Sequence, residues 1–313
     1  MADQEPARSR LATGPTSLAL RRYDRPRELS GVSLNARIDP VIPLDLAAAA
    51  IAASTLSPGS KQLALGLLRL ATPAIFPGGG IGIEYGSLLK TAARPDYLAG
   101  HIREAAAHLS ERQVDLLLVP GMSGYPIGSM YAAISGIPAV LLKKARLDGL
   151  DHARYPAGAF VIPSYTGEGD VVMHADAAAL QDIVDAIAGP RLAARAASPH
   201  PVLRLRAAGA DDIIDKAIMS QAVGESALVI GQAALTDFVA RHRASTGDER
   251  PIATEVEVVA WVTPLIKTYN QPEAHLRRTF NVTPFAGLSI TSVHVDPPAI
   301  GIGGVGTIRT TPD

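Results

Sequence analysis

A short apolar strand that runs directly into a glycine turn limits the possible folds of this chain more than any other sequence feature. Residues 114–119 read Val-Asp-Leu-Leu-Leu-Val, and Pro-Gly-Met-Ser-Gly-Tyr-Pro follows at 120–126. An almost continuous apolar run of this length is typical of a strand covered on both faces in a parallel sheet. Apolar residues then recur at spacings of three and four as far as Gly136, which predicts a helix that ends there. The sequence therefore predicts a strand, a turn and a helix of an α/β protein.

The segments on either side of this unit alternate between helical and strand patterns. An apolar segment at 44–56 predicts a buried helix, and a helical pattern begins at Pro95. Later strand patterns occupy 137–142, 160–162, 171–173, 227–230 and 256–262, with helical patterns at 180–187 and 235–239. This alternation predicts a doubly wound, mostly parallel sheet with helices on both faces. We also expect a hood or cap formed by the terminal segments.

The length and apolar content of the chain are sufficient for one large domain. With 313 residues, 47% of them hydrophobic, the chain can bury a full core, which excludes a disordered regulator. The sequence predicts a flexible N-terminal tail at 1–30 and an α/β domain at 31–267. We expect an insertion near 189–223 within that domain, and a C-terminal extension at 268–313.

Charge and cysteine content exclude several classes of function. Twenty-nine Lys and Arg residues against 30 Asp and Glu residues give a net charge of −1, so no overall positive field attracts nucleic acid or an anionic membrane. The absence of cysteine excludes disulfides, thiolate metal sites and cysteine nucleophiles. The N-terminal segment lacks a signal-peptide core, and the histidines lack the spacing of a transition-metal site. We expect a cytoplasmic protein.

The glycine turn is a candidate anion site. Gly121 and Gly124 allow the main chain to direct N–H groups toward a bound anion, and the N-terminus of the following helix adds a favourable partial charge. A structural interpretation is equally open, because many α/β proteins need glycine for a tight turn between strand and helix. The turn alone does not separate the two interpretations.

A series of short motifs resembles a known enzyme family. In order, these are Asp115, Gly124-Tyr125, Gly136-Ile137-Pro138, Lys143-Lys144 and the segment 164–176, which leads to a His and an Asp. In content and order, residues 95–176 resemble the type I phosphoribosyltransferases, and within them the adenine phosphoribosyltransferases most closely. The resemblance covers about a quarter of the chain.

The resemblance implies roles for individual residues. It places the pyrophosphate of phosphoribosyl pyrophosphate against Gly121, Met122, Ser123 and Gly124, although Ser123 stands where the adenine enzymes usually have arginine. It brings Lys143 and Lys144 to the same pyrophosphate, and it makes 146–170 a mobile flap from which Tyr165 stacks or donates a hydrogen bond. The alternatives are a solvated basic turn for the two lysines and a half-buried aromatic for Tyr165.

The motif that binds ribose and its 5′-phosphate in this family is not intact here. One candidate combines the strand at 227–230 with the loop 231–237, which lacks the acidic pair. The other takes its acids from Asp211, Asp212 and Asp215, although 204–208 is a poor strand pattern, and its ribose-phosphate loop from Val223, Gly224, Glu225 and Ser226. A helix N-terminal cap is the alternative for the three aspartates.

The resemblance implies that the protein is a phosphoribosyltransferase. It would bind phosphoribosyl pyrophosphate with Mg²⁺ held by Asp211 and Asp212, and a purine-like or other nucleophilic acceptor would displace pyrophosphate. The family also implies a homodimer. The alternative is a non-catalytic sensor of phosphoribosyl pyrophosphate or of a nucleotide with the same fold, which the incomplete ribose motif favours.

Overall fold

The protein has a central β-sheet covered by helices in the computed structural model, which describes residues 21–22, 41–75, 81–90, 94–146, 160–163 and 170–311. The strands are β1 (Arg21–Arg22), β2 (Thr72–Ile75), β3 (Ile81–Glu84), β4 (Leu116–Pro120), β5 (Ala139–Arg146), β6 (Phe160–Pro163), β7 (Asp170–Ala175), β8 (Val202–Ala210), β9 (Ile213–Ile214), β10 (Ala253–Lys267), β11 (Phe285–Val295), β12 (Pro298–Ile302) and β13 (Gly306–Arg309). The α-helices are α1 (Ala47–Ala53), α2 (Pro58–Leu70), α3 (Gly86–Leu89), α4 (Ala99–Glu111), α5 (Tyr125–Ser135), α6 (Ala177–Ala193), α7 (Ile218–Thr246) and α8 (Pro272–Phe280).

The centre of the sheet is parallel, and an antiparallel strand adjoins it on either side. Its strand order is β1-β6-β7-β5-β4-β8-β10-β11-β12-β13, with β9 also paired to β10. The five neighbours β5, β4, β8, β10 and β11 are all parallel, whereas β7 and β12 add antiparallel strands on either side. A separate antiparallel hairpin is formed by β2 and β3. The predicted α/β class with a mostly parallel sheet is therefore confirmed.

Side chains of the central strands alternate between two helical layers. Leu117 and Val119 of β4 belong to a core shared with α2, α4 and α5, whereas Leu116 and Leu118 belong to a second core shared with α6, α7 and α8. All four are buried, because a strand covered on both faces has no solvent side. The prediction of helices on both faces of the sheet is also confirmed.

Two regions predicted to be peripheral contribute strands to the sheet. Residues 202–210, inside the predicted insertion, form β8, which lies between β4 and β10. The prediction that 204–208 is a poor strand is wrong, because Arg204 and Arg206 occupy the alternate, solvent-accessible positions while Leu203 and Leu205 are buried. The predicted extension contains β11, β12 and β13 of the same sheet.

The predicted strand at 227–230 is wrong, because these residues lie inside α7. A short apolar run cannot by itself distinguish a buried strand from a buried helix, and α7 is buried against β8 and β10.

Among the described residues, α7 alone is long and apolar enough to cross a membrane, and 61% of its most apolar window is buried inside the fold. That burial is typical of a core helix.

The close approach of Gly209 to Trp261 provides a stability test. A Cβ atom at Gly209 would lie 2.3 to 2.4 Å from three ring atoms of the fully buried Trp261. We expect Gly209→Ala to lower the free energy of unfolding by ~1–3 kcal/mol, measured by urea denaturation, because the ring has no space to move. Gly189→Ala is the matched control, since a Cβ in this α6 position meets nothing within 4 Å. Equal stability of the two variants would contradict the prediction.

Candidate functional site

Two loops meet where the sheet reverses its winding direction. Helix α5 carries the chain from β4 to β5 on one side, whereas α7 carries it from β8 to β10 on the other. Because β4 and β8 are adjacent and parallel, the loops at their carboxyl ends, residues 121–124 and 211–217, border the same crevice. Ligands of open α/β sheets bind in a crevice of this kind. It is therefore the candidate functional site.

The glycine turn at 121–124 leaves three main-chain amides available. The Gly121 amide donates to the carbonyl oxygen of Leu142 at 2.7 Å, and the Gly121–Met122 peptide bond is cis. Within the described part of the chain, the amides of Met122, Ser123 and Gly124 have no hydrogen-bond acceptor. Helix α5 begins directly after them. The structure thus leaves three of the four predicted amides free to bind an anion, while Gly121 has a structural partner.

Both glycines are required by close packing around the turn. A Cβ atom at Gly121 would lie 2.4 Å from Tyr125 Oη, and one at Gly124 would lie 2.8 Å from the Pro120 carbonyl oxygen. The same Cβ position of Gly124 lies 2.9 Å from Asp211 Oδ1. Glycine is therefore needed at both positions for a tight turn between strand and helix, as one of the two interpretations predicts. This need does not exclude an anion site at the same turn. The turn and the predicted acidic residues are in direct proximity.

Asp211 and Asp212 form a buried acidic pair immediately after β8. Their exposed fractions are 6% and 2%, which is unusual for aspartate. The Asp212 amide donates to Asp211 Oδ1 at 2.9 Å, and the Ile213 amide donates to Asp212 Oδ1 at 3.1 Å. Burial, followed by the neighbouring carboxyl of Asp212, raises the pKa of Asp211 well above its usual value. The pair is not a helix cap, because α7 begins only at Ile218.

Tyr85 contributes to the site from a distant part of the sequence. It lies between β3 and α3, and its hydroxyl donates to Asp212 Oδ2 at 3.1 Å. The Lys90 ammonium lies 5.4 Å from the centre of the Tyr85 ring. Tyr85 was not predicted as a site residue, because it belongs to no motif and lies 127 positions from Asp212 in the sequence.

The two predicted lysines of β5 lie in different environments. Asp211 and Asp212 act on the ammonium of Lys144, whose pKa is lowered mainly by burial among protein atoms and is raised in part by these two carboxyls. Lys143 instead lies 3.8 Å from Asp176, and both of these side chains are more than half exposed. Successive residues of a strand point to opposite faces, so the two lysines lie on different sides of β5, and Lys144 is the one that interacts electrostatically with the acidic pair.

A buried contact between Tyr131 and His101 lies near the acidic pair. Burial, followed by the charges of Asp211 and Asp212, raises the pKa of Tyr131 well above its usual value. The Tyr131 hydroxyl lies 2.8 Å from His101 Nε2, and burial lowers the pKa of His101 to about 4. The imidazole of His101 is therefore neutral at pH 7.

The buried His101 predicts a pH-dependent stability. His101 binds a proton near pH 6.5 in the unfolded chain but only near pH 4 in the folded protein. Its contribution to the free energy of unfolding is therefore complete above pH 6.5 and is lost as the pH falls toward 4. The expected loss is about 3 kcal/mol, which urea denaturation at pH 7 and pH 4 would measure. We expect His101→Gln to reduce this loss, and His200→Gln, at an exposed site, to retain it. Identical pH profiles for all three proteins would contradict the assignment.

The loop that follows the acidic pair differs from both predicted ribose-phosphate loops. Asp215 accepts a hydrogen bond from the buried Lys267 Nζ at 2.8 Å and another from Asn270 Nδ2. The loop predicted at Val223, Gly224, Glu225 and Ser226 is wrong, because all four residues lie inside α7, and so does the other candidate loop at 231–237. The strand β8 before Asp211 has a weak sequence pattern, and for this reason the loop was predicted in the wrong segment. The loop that borders the crevice is 211–217.

The remaining predicted residues do not join the crevice. Asp115 lies at the opposite end of β4, where it binds Arg191 through both carboxylate oxygens and accepts the Arg206 amide at 2.9 Å. Tyr165 and most of the predicted flap at 146–170 fall outside the described residues, as does the predicted N-terminal tail apart from β1.

The acidic pair has the donor chemistry that Mg²⁺ prefers. Carboxylate oxygens are hard ligands, and Mg²⁺ commonly binds through one or two carboxylates together with substrate phosphates and water. Two buried carboxyls repel each other when both are ionised, and a bound cation would remove this repulsion. No group of three or more His, Cys, Asp or Glu side chains is arranged around a metal in the described ranges. Asp211 and Asp212 therefore fit Mg²⁺ only with further oxygens from a substrate or water.

Comparison with known proteins gives similar structures only. No protein-family model matches the chain, and no curated protein sequence matches it. The APRTase from Giardia lamblia complexed with 9-deazaadenine is 14% identical, with a TM-score of 0.43 over 72% of this chain and 96% of that chain. The adenine phosphoribosyltransferase from Rhodothermus marinus is 18% identical, with a TM-score of 0.42 over 74% and 99%. The enzyme from Trypanosoma brucei, in complex with AMP, pyrophosphate and ribose-5-phosphate, is 15% identical, with a TM-score of 0.42 over 74% and 79%.

Proposed function

We propose that the protein is a phosphoribosyltransferase that binds phosphoribosyl pyrophosphate and Mg²⁺ in the crevice between β4 and β8. A purine-like or other nucleophilic acceptor attacks the anomeric carbon of the ribose, the bond from that carbon to the pyrophosphate oxygen breaks, and pyrophosphate leaves. One observation carries this proposal: Asp211 Oδ1 lies 2.9 Å from the Cβ position of Gly124, so an acidic pair and a turn with free amides share one crevice.

The turn and Lys144 supply the positive groups. The amides of Met122, Ser123 and Gly124 hold the diphosphate, and the N-terminus of α5 adds a favourable partial charge. Lys144 contributes a full charge to the leaving group, and its electrostatic interaction with Asp211 and Asp212 supports this role. These groups act most strongly when negative charge develops on the departing pyrophosphate.

The acidic pair supplies the complementary negative charge. Asp211 and Asp212 would hold Mg²⁺ together with substrate oxygens, and the metal when bound neutralises phosphate charge. Tyr85 fixes the orientation of the Asp212 carboxylate through its hydrogen bond to Oδ2. The carboxylates also favour the positive charge that develops on the ribose when the bond to pyrophosphate breaks.

The proposal is tested by pyrophosphate release. The full chain is incubated with phosphoribosyl pyrophosphate, Mg²⁺ and either adenine or another base, and inorganic pyrophosphate is followed with a coupled assay. We expect release that depends on both the base and Mg²⁺. Absence of both release and phosphoribosyl pyrophosphate binding would contradict the proposal.

A non-catalytic sensor of the same ligand is the second candidate, and the loop after the acidic pair favours it. Residues 213–217 read Ile-Ile-Asp-Lys-Ala, without the glycine and threonine that would cradle a 5′-phosphate. Asp215 adds negative charge to this loop, although Lys267 and Asn270 bind its carboxylate. Measurable ligand binding without pyrophosphate release from any base would favour the sensor.

A further inference from the structure

An arginine-lined cleft lies at the opposite end of the sheet from the candidate site. Its volume is about 530 Å³, and the residues that line it are Gln113, Arg191, Arg195, Val202, Arg204 and Arg206. The cleft exists because β8 extends beyond β4, whose pairing with β8 begins only at Ala207. Among the strands, residues 202–206 therefore pair with β10 alone. At the other edge of this segment the main chain of Arg206 bonds to Asp115, and Val202 and Arg204 line the cleft. Ligand pockets in proteins commonly have volumes of this size.

Two of the four arginines are neutralised by carboxylates. Arg191 binds Asp115 with two hydrogen bonds, and Arg204 pairs with Glu255 and with Glu257, the latter at 3.0 Å. These pairs hold the walls of the cleft in place. They leave little net charge for a ligand.

Arg195 and Arg206 carry the remaining positive charge. Arg195 donates to the Val202 carbonyl oxygen at 2.7 Å, and Arg206 donates to the Arg112 carbonyl oxygen at 3.2 Å. Neither guanidinium lies within 4 Å of a carboxylate in the part of the chain that the structure covers, although the main-chain amide of Arg206 donates to Asp115. A guanidinium has five N–H donors, so each side chain retains donors after its carbonyl contact. Two positioned cations with unused donors therefore face one cleft.

We propose that this cleft binds a small phosphate-bearing ligand, separately from the candidate active site. The planar guanidinium matches the oxygens of a phosphate group with two parallel hydrogen bonds, and Arg195 and Arg206 could bind one phosphate from two sides. The carbonyl contacts hold both side chains at the cleft wall before a ligand arrives. The site would accept inorganic phosphate or the phosphate group of a nucleotide.

The experiment compares inorganic phosphate binding by the full-length protein and its variants, using isothermal titration calorimetry at low ionic strength. Arg195→Gln/Arg206→Gln retains hydrogen-bond donors for the two carbonyls but removes both charges. We expect at least tenfold weaker phosphate binding to the cleft in this variant, and unchanged cleft binding in Lys144→Ala, which alters only the candidate active site. Adenosine monophosphate in place of inorganic phosphate tests the nucleotide source.

The matched control is Arg103→Gln/Arg278→Gln, which removes two charges from exposed positions away from the cleft. Thermal melting of each variant confirms that it is folded. Phosphate affinity that is unchanged in Arg195→Gln/Arg206→Gln, or that falls equally in the control, would overturn the proposal. So would a wild-type protein whose entire phosphate binding disappears in Lys144→Ala. Unchanged phosphate affinity in Arg195→Gln/Arg206→Gln would overturn the proposal for the cleft and would leave the proposed transferase activity intact. The two proposals therefore fail separately.

Discussion

Asp211→Asn should lower the rate of pyrophosphate release by about 100- to 1000-fold and should also raise the melting temperature. The loss of activity follows from the loss of a carboxyl group that would ionise when Mg²⁺ binds in the crevice and would then favour the developing ribose cation. The gain in stability follows from the position of Asp211, which is buried beside a second carboxyl. An amide is close in shape and has no charge to desolvate.

The stability effect should depend on pH in a defined direction. Because burial raises the pKa of Asp211, the folded protein retains a proton that the unfolded chain has already released above the usual aspartate range. The wild-type protein therefore loses stability as the pH rises through the folded-state pKa, and asparagine at position 211 cannot contribute to this loss. The difference in melting temperature between variant and wild type should be larger at pH 8 than at pH 5.

Asp182→Asn is the matched control, because Asp182 is exposed on α6 and has no hydrogen bond or ion pair among the residues described. We expect it to leave both rate and melting temperature almost unchanged. Melting is measured with a chelator present so that metal binding does not contribute. Wild-type activity of Asp211→Asn would remove the acidic pair from the proposed mechanism.

Lys144→Ala should weaken the binding of phosphoribosyl pyrophosphate by about 10- to 150-fold, which corresponds to the ~1.5–3 kcal/mol of a hydrogen bond to a charged group. The ammonium of Lys144 interacts with Asp211 and Asp212, so the variant removes a full positive charge from the proposed diphosphate site. Equilibrium dialysis with the labelled ligand and Mg²⁺ measures this effect without requiring turnover.

The neighbouring Lys143 is a strict control for this experiment. Lys143→Ala removes the same side chain one residue earlier in β5, but Lys143 points to the other face and pairs with Asp176. We expect less than a threefold change in binding, because that exposed pair contributes little. Equal weakening by both variants would show that general charge, rather than the position of Lys144, attracts the ligand.

Local sequence signals predicted the strand, the turn and the helix around the first half of the site. The apolar run at 114–119, the glycines at 121 and 124, and the helical spacing up to Gly136 each depend on neighbours in sequence, and β4, the turn and α5 confirm them. The alternation of helices and strands was likewise sufficient to predict the α/β class. The proximity of the loops 121–124 and 211–217 also follows once the strand order is known, because β4 and β8 are adjacent and parallel.

The second half of the site could not be predicted with the same means. Strand β8 carries arginine at positions 204 and 206, which weakens its apolar pattern, and its strand character depends on pairing with β10. Because β8 was not predicted, Asp211 and Asp212 were not placed at the end of a strand. The ribose-phosphate loop was instead predicted within the segment that forms helix α7. Tyr85 depends on tertiary packing alone.

The adjacency of β4 and β8 has a consequence for how such a protein can diversify. Main-chain hydrogen bonds between the two strands bring their terminal loops together, and these bonds do not depend on which side chains the loops carry. Either loop can therefore exchange residues, as 213–217 illustrates, without moving away from the other. A new activity at this crevice therefore needs only substitutions within the loops, because the paired strands keep the two loops adjacent.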